Sequence, residues 1–343
     1  MKKSIKATTI FISLMLMAAL IFITVAAMGF SVTPILPDNQ RQNGSSFFDL
    51  IVTPGMQQDL IIMVGNTGDE EIVVLVELIT ASTSRNGQIN YTSRGLMDST
   101  LRFSFEDIVS IPQTHFTIPA RGETAVPVTL TVPNDSFEGA ILGSIRVLRE
   151  ATDQEREDAG AIVNQYAHVT AVRLVMRDDA EEIVQPDFAL GSITTELVNY
   201  RASIIAHIRN IEPVLIKNAS ATARIFPLGS NQPIFSHTMD SLDFAPNSVF
   251  PFSFVDREGF GIEPGNYTAV ITINYDNRTW EFDENFVITQ EAADEVNDGA
   301  VNQNLPPEED EDSIPIWVFI AIGIGGAILI AVVVLIIVIV KKK

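Results

Sequence analysis

The sequence predicts an all-β chain of two tandem immunoglobulin-like β-sandwich domains, flanked by an N-terminal signal peptide and a C-terminal transmembrane helix. Three observations support this prediction. Apolar and polar residues alternate over short runs, as at Val126–Val132 and Tyr267–Tyr275. No stretch of ten or more residues between 30 and 290 shows a helical stripe of apolar residues. One order of strands and turns occurs twice along the chain.

The first 29 residues have the layout of a secretory signal peptide. Three lysines among the first six positions precede an apolar stretch over 10–25, and the small residues Ala27 and Gly29 suit cleavage before Phe30. The apolar stretch is long for a signal peptide, so an uncleaved membrane anchor is the alternative. We expect the residues that follow to lie outside the cytoplasm.

The C-terminal end predicts a spacer followed by an anchor. Residues 291–313 are rich in acids and poor in apolar residues, so we expect a disordered stalk. The next residues, 314–340, are predicted as a transmembrane helix, because the 25 residues from Ile316 to Val340 carry no charge and can span a core of about 30 Å. The basic tail 341–343 indicates a cytoplasmic C-terminus. The sequence thus predicts a single-pass type I protein of the cell membrane with its ectodomain on the extracellular, cell-wall side.

Charge and composition exclude several classes of function. All 43 acidic residues lie between residues 30 and 313 together with 16 of the 22 basic residues, which gives this part a net charge of −27. Such a surface repels phosphate backbones, so we predict no binding to nucleic acid. The chain has no cysteine, and its four histidines share no catalytic or metal-binding motif. We therefore predict no catalytic residue, no metal and no cofactor.

An internal repeat supports two domains of one plan. In each half a polar turn follows an apolar strand, a proline-containing turn precedes a second strand, and a glycine-containing turn opens a third. The paired segments are Asn66–Gly68 with Asn210–Glu212, Ile118–Gly122 with Ala245–Ser248, and Phe137–Ala140 with Glu263–Asn266. Two copies of one strand plan indicate tandem sandwiches.

We place the first sandwich at 30–178 and the second at 186–290, with a charged linker between them. The polar residues 150–158 are the other possible boundary. We interpret them as a hairpin loop because the runs on either side, Ile141–Val147 and Val169–Val175, are both apolar and β-like. Pairing of these two runs would complete the first sheet.

The order of several short motifs resembles the WxL-interacting proteins, which are cell-surface proteins of low-GC Gram-positive bacteria. The motifs are Phe30–Gln40, Phe48–Leu50 with Pro54-Gly55, Asn66-Thr67, Asn86-Gly87 followed by Tyr91, Ile118–Ala120, Phe137–Gly143, Ala245–Ser248, Pro264–Tyr267 and Trp280–Phe282. The resemblance implies a first domain that binds peptidoglycan, a second that binds host extracellular proteins, and complexes with WxL-domain proteins. The usual boundary in that family lies nearer 150–160 than the one we predict.

Four residues are candidates for ligand binding. The amide side chains of Asn39 and Gln40 offer donors and acceptors suited to glycans, although the segment that contains them is also compatible with a first edge strand. The rings of Tyr275 and Trp280 flank a predicted hairpin turn, where they could stack on a sugar. The alternative is that Trp280 packs inward together with Phe282.

We expect a non-catalytic cell-surface protein for adhesion or scaffolding, which binds peptidoglycan and either WxL-domain or host surface proteins. Two alternatives remain open. A cell-wall hydrolase needs two carboxylates at a particular separation, which the sequence does not reveal. A chaperone-like assembly subunit would donate or accept an edge strand. A local basic patch at Arg146, Arg149 and Arg173 would override the negative charge toward anionic wall polymers.

Overall fold

The computed structural model describes residues 29–42, 44–159, 165–256, 259 and 261–301. The predicted signal peptide (apart from Gly29), the predicted stalk beyond residue 301, the transmembrane helix and the cytoplasmic tail lie outside these residues. Among the residues described, no helix has the length and apolar character needed to cross a membrane.

The first β-sandwich lies within residues 30–175. Its elements in chain order are β1 (Phe30–Ile35), β2 (Phe48–Ile51), β3 (Gln57–Asn66), β4 (Ile72–Thr80), β5 (Ser82–Thr83), β6 (Ile89–Asn90), α1 (Phe105–Ile108), β7 (Val109–Ser110), β8 (His115–Ile118), β9 (Glu123–Thr131), β10 (Ala140–Arg149), α2 (Asp153–Ala159) and β11 (Ala167–Val175). One sheet has the strand order β1-β3-β9-β7 and the facing sheet has the order β2-β11-β10-β4-β8. Neighbouring strands are antiparallel except β2 and β11, which are parallel.

The second β-sandwich follows along the chain. The elements after β11 are α3 (Ala180–Ile183), β12 (Phe188–Val198), β13 (Arg201–Asn210), β14 (Ile216–Pro227), β15 (Phe235–Phe244), β16 (Ser248–Val255), β17 (Gly265–Tyr275), β18 (Arg278–Ile288) and α4 (Gln290–Asp298). A three-stranded antiparallel sheet, β12-β13-β16, faces a four-stranded one, β15-β14-β17-β18. Strands dominate the described residues and the helices there are short, so the predicted all-β class is confirmed.

Each sandwich encloses its own apolar core. In the first, the alternation along β9 buries Val126, Val128 and Leu130 completely. In the second, Phe244 and Phe250 meet edge to face with their ring centroids 5.5 Å apart. Burying an apolar side chain of this size contributes about 1.5–3 kcal/mol, so the alternation read from the sequence accounts for the way the sheets face each other.

Strand β2 is buried together with a carboxylate. Phe48, Asp49 and Leu50 are all completely buried. On the parallel neighbour β11, Arg173 donates from Nε and Nη2 to the two carboxylate oxygens of Asp49 at 2.9 and 2.7 Å. An unpaired buried charge costs several kcal/mol, so this ion pair fixes β2 beside β11.

The internal repeat has its physical basis in a buried asparagine that ends one strand of each sandwich. Asn66 Nδ2 donates to the carbonyl oxygens of Glu70 at 2.7 Å and Ile118 at 3.3 Å. Asn210 Nδ2 donates to the equivalent carbonyls of Val214 at 2.9 Å and Ala245 at 2.8 Å. Each amide therefore joins the two turns in which the chain passes from one sheet to the other.

The same turns share a left-handed residue. Arg121 has a φ of 53° and Asn247 a φ of 45°. The N–H of Arg121 donates to the carbonyl of Gly68 at 3.0 Å, and the N–H of Asn247 donates to the carbonyl of Glu212 at 3.1 Å. Both acceptors lie two residues after the buried asparagine, so the repeat extends to individual backbone hydrogen bonds.

The structure confirms the pairing predicted around residues 150–158. Strands β10 and β11 are antiparallel neighbours, and α2 lies in the connection between them. The boundary between 178 and 186 stays a prediction. The linker predicted there is packed in part, because Ala180 of α3 is buried and Val184 belongs to the second core.

The prediction of a disordered stalk from residue 291 is wrong for its first turns. Helix α4 occupies Gln290–Asp298, and the hydroxyl of Thr289 caps it by accepting from the N–H of Ala292 at 3.2 Å. Ala293 and Val296 are buried in the second core. The acidic composition concealed this spacing of two apolar residues, which is enough to hold a short helix against a sandwich.

We predict that Asn66→Ala and Asn210→Ala each lower the free energy of unfolding by about 3 kcal/mol, because each leaves buried carbonyl groups without a donor. The exposed Asn285→Ala is the matched control and should change it by less than about 0.5 kcal/mol. Urea unfolding of the full-length protein, followed by circular dichroism, measures both. A buried variant as stable as the control would refute the role assigned to these amides.

Candidate functional site

A long connecting segment of the first sandwich packs against the second sandwich. Residues 81–103, which we call the inserted segment, leave the end of β4 and contain the small β5–β6 hairpin. The hydroxyl oxygen of Thr83 accepts from the N–H of Ala245 at 3.0 Å and lies 2.6 Å from Oγ of Ser248. Thr83 and Ser248 are both buried, so the hairpin belongs to the packing of both sandwiches.

The inserted segment also adds backbone hydrogen bonds to β16. Met97 forms a β-bridge with Ser248, and the N–H of Val249 donates to the carbonyl of Leu96 at 3.0 Å. The N–H of Asp98 donates to the carbonyl of Asn247 at 2.8 Å. The segment thereby covers part of the edge of the three-stranded sheet.

A buried ion pair follows directly on these bonds. Arg209 of β13 donates from Nη2 to Asp98 at 3.1 Å and also from Nε, while the Asp98 side chain is almost completely buried. Burial raises the pKa of Asp98, but hydrogen bonds from Arg209 and Thr100 outweigh it and hold the pKa below its usual range. The carboxylate is therefore charged and anchors the inserted segment to the second sandwich.

A close backbone approach forms a further contact between the sandwiches. Gly139 has a φ of +69°, and a Cβ atom there would lie 2.0 Å from the carbonyl oxygen of Pro213. The N–H of Ala140 donates to that same oxygen at 2.8 Å. The glycine in the Phe137–Gly143 motif is therefore required by this contact.

The inserted segment encloses a cleft of about 950 Å³. We call it the Tyr91 cleft. One wall is the β5–β6 hairpin and the residues after it, another is β11 with Val169 and Ala171, and the third is the end of β12 with residues 197–199. Clefts of this size are typical of small-ligand sites.

Tyr91 joins the hairpin to the first sandwich and presents its ring to the cleft. Its carbonyl oxygen accepts from the hydroxyl of Ser144 on β10 at 2.6 Å. Its own hydroxyl has no hydrogen-bond partner among the described residues. Burial raises the pKa of Tyr91 to about 12, with a smaller opposing effect of Arg173 and a smaller raising effect of Asp243. The ring is therefore neutral at physiological pH, with a hydroxyl free to bind a ligand.

Amide side chains line the same hairpin. Those of Asn86, Gln88 and Asn90 all face the cleft. Asn90 Nδ2 donates to the carbonyl of Ser93 at 2.8 Å, and Gln88 Nε2 donates to the carbonyl of Ser241 at 2.9 Å. These bonds fix the hairpin, and the exposed amide of Asn86 remains at the rim. Amides and an aromatic ring beside small apolar side chains are the groups that bind uncharged sugars.

The described lining of the cleft contains no carboxylate, whereas glycoside hydrolysis uses two carboxyl groups on either side of the bond. Across the described part of the chain, no three histidine or acidic side chains cluster as metal ligands would.

Asn39 and Gln40, predicted as glycan-binding residues, are engaged within the protein. Asn39 Nδ2 donates to the carbonyl of Ile51 at 2.9 Å, and its oxygen accepts from Gln58. Gln40 Nε2 donates to the carbonyl of Phe47 at 2.9 Å. Both amides secure the loop that leads into β2, and neither lines the Tyr91 cleft. The preceding strand, β1, is an edge strand, which was the alternative considered for this segment.

Tyr275 and Trp280, the two predicted aromatic candidates, flank the hairpin turn as expected but are half-buried against the second core. Trp280 meets Phe188 edge to face at 5.0 Å, and its Nε1 donates to Asp187 at 2.8 Å. The guanidinium of Arg278 lies 4.5 Å from the ring centroid. Trp280 is thus enclosed by the protein, and these two residues do not lie in the Tyr91 cleft.

The three arginines considered as a basic patch are each paired with an acid. Arg146 pairs with Glu77, Arg149 donates to Glu155 at 2.8 Å, and Arg173 binds Asp49. Their positive charge is therefore neutralised within the first sandwich. Strand register places Glu77 beside Arg146 and Asp49 beside Arg173, and helix α2 supplies Glu155 for Arg149.

None of the four ligand-binding candidates predicted from the sequence lines the Tyr91 cleft. One signal was available, because Asn86-Gly87 followed by Tyr91 is among the motifs that resemble the WxL-interacting proteins. Taken alone, that motif indicates only a turn. Its place beside β11 and β12 depends on contacts between residues far apart in the chain.

Comparison with protein families decides the relationship. A model described as "WxL Interacting Protein, peptidoglycan binding domain" matches residues 30–149, and "WxL Interacting Protein, host binding domain" matches residues 157–298. The chain belongs to the WxL-interacting protein family. The resemblance inferred from the sequence is confirmed. The first match ends at the last residue of β10, although β11 completes the same sheet.

Solved structures add little to this identification. No curated protein matches this WxL-interacting protein. The E. coli chaperone DraB is 11% identical over 76% of this chain and 97% of its own, with a TM-score of 0.27. A structure of the Salmonella enterica SafA pilin in complex with the SafB chaperone is 12% identical over 77% of this chain and 99% of that one, with a TM-score of 0.29. At such scores the similarity carries no argument about function.

Tyr91 should ionise only near pH 12. In the folded protein the pKa of Tyr91 lies above its usual value of 10.0, so the protonated ring contributes stability that is present below pH 10 and lost as the pH rises to about 12. An ultraviolet titration of the full-length protein, minus that of Tyr91→Phe, should show one transition near pH 12. A difference transition near pH 10 would be inconsistent with the burial described.

Proposed function

We propose that this WxL-interacting protein is a non-catalytic adhesion and scaffold protein, in which the Tyr91 cleft binds the glycan strands of peptidoglycan. The observation that carries the proposal is the lining of the cleft, where the exposed amide of Asn86 and the neutral ring of Tyr91 come together. No carboxylate is among the described lining residues, and the guanidinium of Arg85, which also lines the cleft, is paired with Glu196. The cleft is formed largely by residues of the matched peptidoglycan-binding domain.

The chemistry of the cleft favours the neutral sugar backbone over the anionic polymers of a cell wall. Residues 30–313 carry a net charge of −27, and Arg146 and Arg149 of β10 are each paired with an acid. An anionic polymer is repelled by this surface, whereas a sugar ring needs only hydrogen bonds and ring contact. The ligand class that fits is therefore an uncharged glycan.

The inserted segment supports a scaffold role. It belongs to the first sandwich, lines the Tyr91 cleft, and hydrogen-bonds to β16 of the second sandwich. A glycan in the cleft thus lies next to the matched host-binding domain. We propose that the second sandwich binds WxL-domain proteins or host surface proteins, and that residues 314–340 anchor the chain in the cell membrane.

Tyr91→Ala should weaken binding of the full-length protein to purified peptidoglycan at least about tenfold, because a buried aromatic contact is worth about 2 kcal/mol in a binding site. The matched control is Tyr166→Ala, which removes an aromatic ring that is 48% exposed and outside the cleft. Co-sedimentation measures bound protein. Equal binding by both variants would exclude the cleft, and release of muropeptides by the wild-type protein would exclude a non-catalytic role.

Salt should separate glycan binding from charge effects. Binding to peptidoglycan stripped of anionic polymers should change little between low and high salt, because stacking and neutral hydrogen bonds are not screened. Binding to peptidoglycan that keeps these polymers should strengthen as salt rises, because repulsion is then screened over about 8 Å. Binding that collapses with added salt on both materials would indicate charge attraction and contradict this proposal.

A further inference from the structure

The two sheets of the second sandwich leave a gap that the inserted segment covers at one end only. Strands β15 and β16 are edge strands of the two facing sheets and are joined by a short turn. Next to this turn, the N–H of Asp243 donates to the carbonyl of Gly87 at 2.8 Å. Leu242 and Phe244 of β15 are completely buried there. The inserted segment therefore covers this end of the gap.

The other end of the gap is open. A cavity of about 1030 Å³ lies there between β15, β16 and the start of β17, and we call it the open groove. The inward face of β15 is only half-buried here, at Phe235, His237 and Met239. Ile234, which precedes the strand and lines the groove, is 49% exposed. One strand face is thus sealed where the inserted segment covers it and open to solvent where it does not.

The backbone beside the open groove can accept another strand. Within the described residues, no strand pairs with the outer edge of β15, and no proline interrupts β15 from Phe235 to Phe244. On the opposite side Pro251 of β16 has no N–H, which limits pairing there. An unpaired strand edge above an apolar groove is the arrangement that binds an added strand.

We propose that the open groove binds an extended segment of a second protein, which pairs with β15 and places alternate apolar side chains in the cavity. Such a segment would cover the part of the edges of β15 and β16 that the inserted segment leaves open. The open groove adjoins the Tyr91 cleft, since Arg85, Asn86 and residues 198–199 line both. The strand-pairing edge of β15 is not part of the cleft lining, so the proposal does not depend on glycan binding.

Charge identifies the kind of segment. Asp256 and Glu263 line the groove, and the guanidinium of Arg85, which also lines it, is paired with Glu196. Residues 30–313 carry a net charge of −27. A segment with basic residues at its ends is attracted to this surface. The acidic run at residues 308–312 of this chain, or a second copy of the chain, is repelled. The occupant is therefore a different protein with an apolar, positively charged strand.

The probe is a fluorescent synthetic peptide of alternating isoleucine and threonine with a lysine at each end. Fluorescence polarisation with the full-length protein should show binding. Ile234→Asp should weaken it about tenfold, because a charge then lies in the apolar groove. The matched control is Leu228→Asp, since Leu228 is 58% exposed and outside the groove, and it should change the affinity less than about twofold.

A modified peptide tests the strand pairing itself. N-methyl groups at alternate amides keep the apolar side chains but remove the N–H groups that would donate to the carbonyl oxygens of β15. Binding should therefore fall at least about tenfold. Equal binding of the methylated peptide would overturn strand addition. The proposal also fails if the unmodified peptide does not bind at about 1 mM, or if light scattering reveals a dimer that Ile234→Asp dissociates.

Discussion

A buried asparagine amide at the end of one strand closes each sandwich. Asn66 ties the turn after β3 to the turn before β9, and Asn210 ties the turn after β13 to the turn before β16. These are the places where the chain passes between facing sheets. Because the amide satisfies carbonyl groups that water does not reach, the two sheets are held at a fixed separation. The strand edges beyond these turns, which form the binding surfaces, inherit that geometry.

The inserted segment turns two similar sandwiches into one molecule with two different surfaces. The segment bonds to the turn before β16 through Asn247, the left-handed residue of the repeated turn. The carbonyl of Asn247 accepts from the N–H of Asp98. The inserted segment lines the Tyr91 cleft, and its residues Arg85 and Asn86 also form one end of the open groove. A single excursion of the chain thus defines a polar site and bounds an apolar one.

Much of the fold was predictable because it depends on local alternation. The strand pair around residues 150–158, the hairpin after Tyr275 and the equivalence of Asn66 with Asn210 all follow from short-range patterns. The proposed site was not predictable in this way. Asn39 and Gln40 have suitable chemistry, but their amides are taken by the loop before β2. The Tyr91 cleft depends on contacts between segments far apart in sequence. Helix α4 depends on two apolar residues within an acidic stretch, and composition alone does not distinguish such a helix from a disordered stalk.

The contact between Thr83 and Ser248 joins residues that are 165 positions apart. A chain is synthesised from its N-terminus, so the β5–β6 hairpin is complete long before its partner strand exists. Until β16 emerges, the groups of Thr83, Leu96 and Asp98 that bond to the second sandwich have only water to bind, so this part of the segment can pair wrongly. The β16 strand of a neighbouring chain offers the same partner as the chain's own. Crowded nascent chains of this protein are therefore exposed to domain swapping through the segment that joins the two sandwiches in the finished molecule.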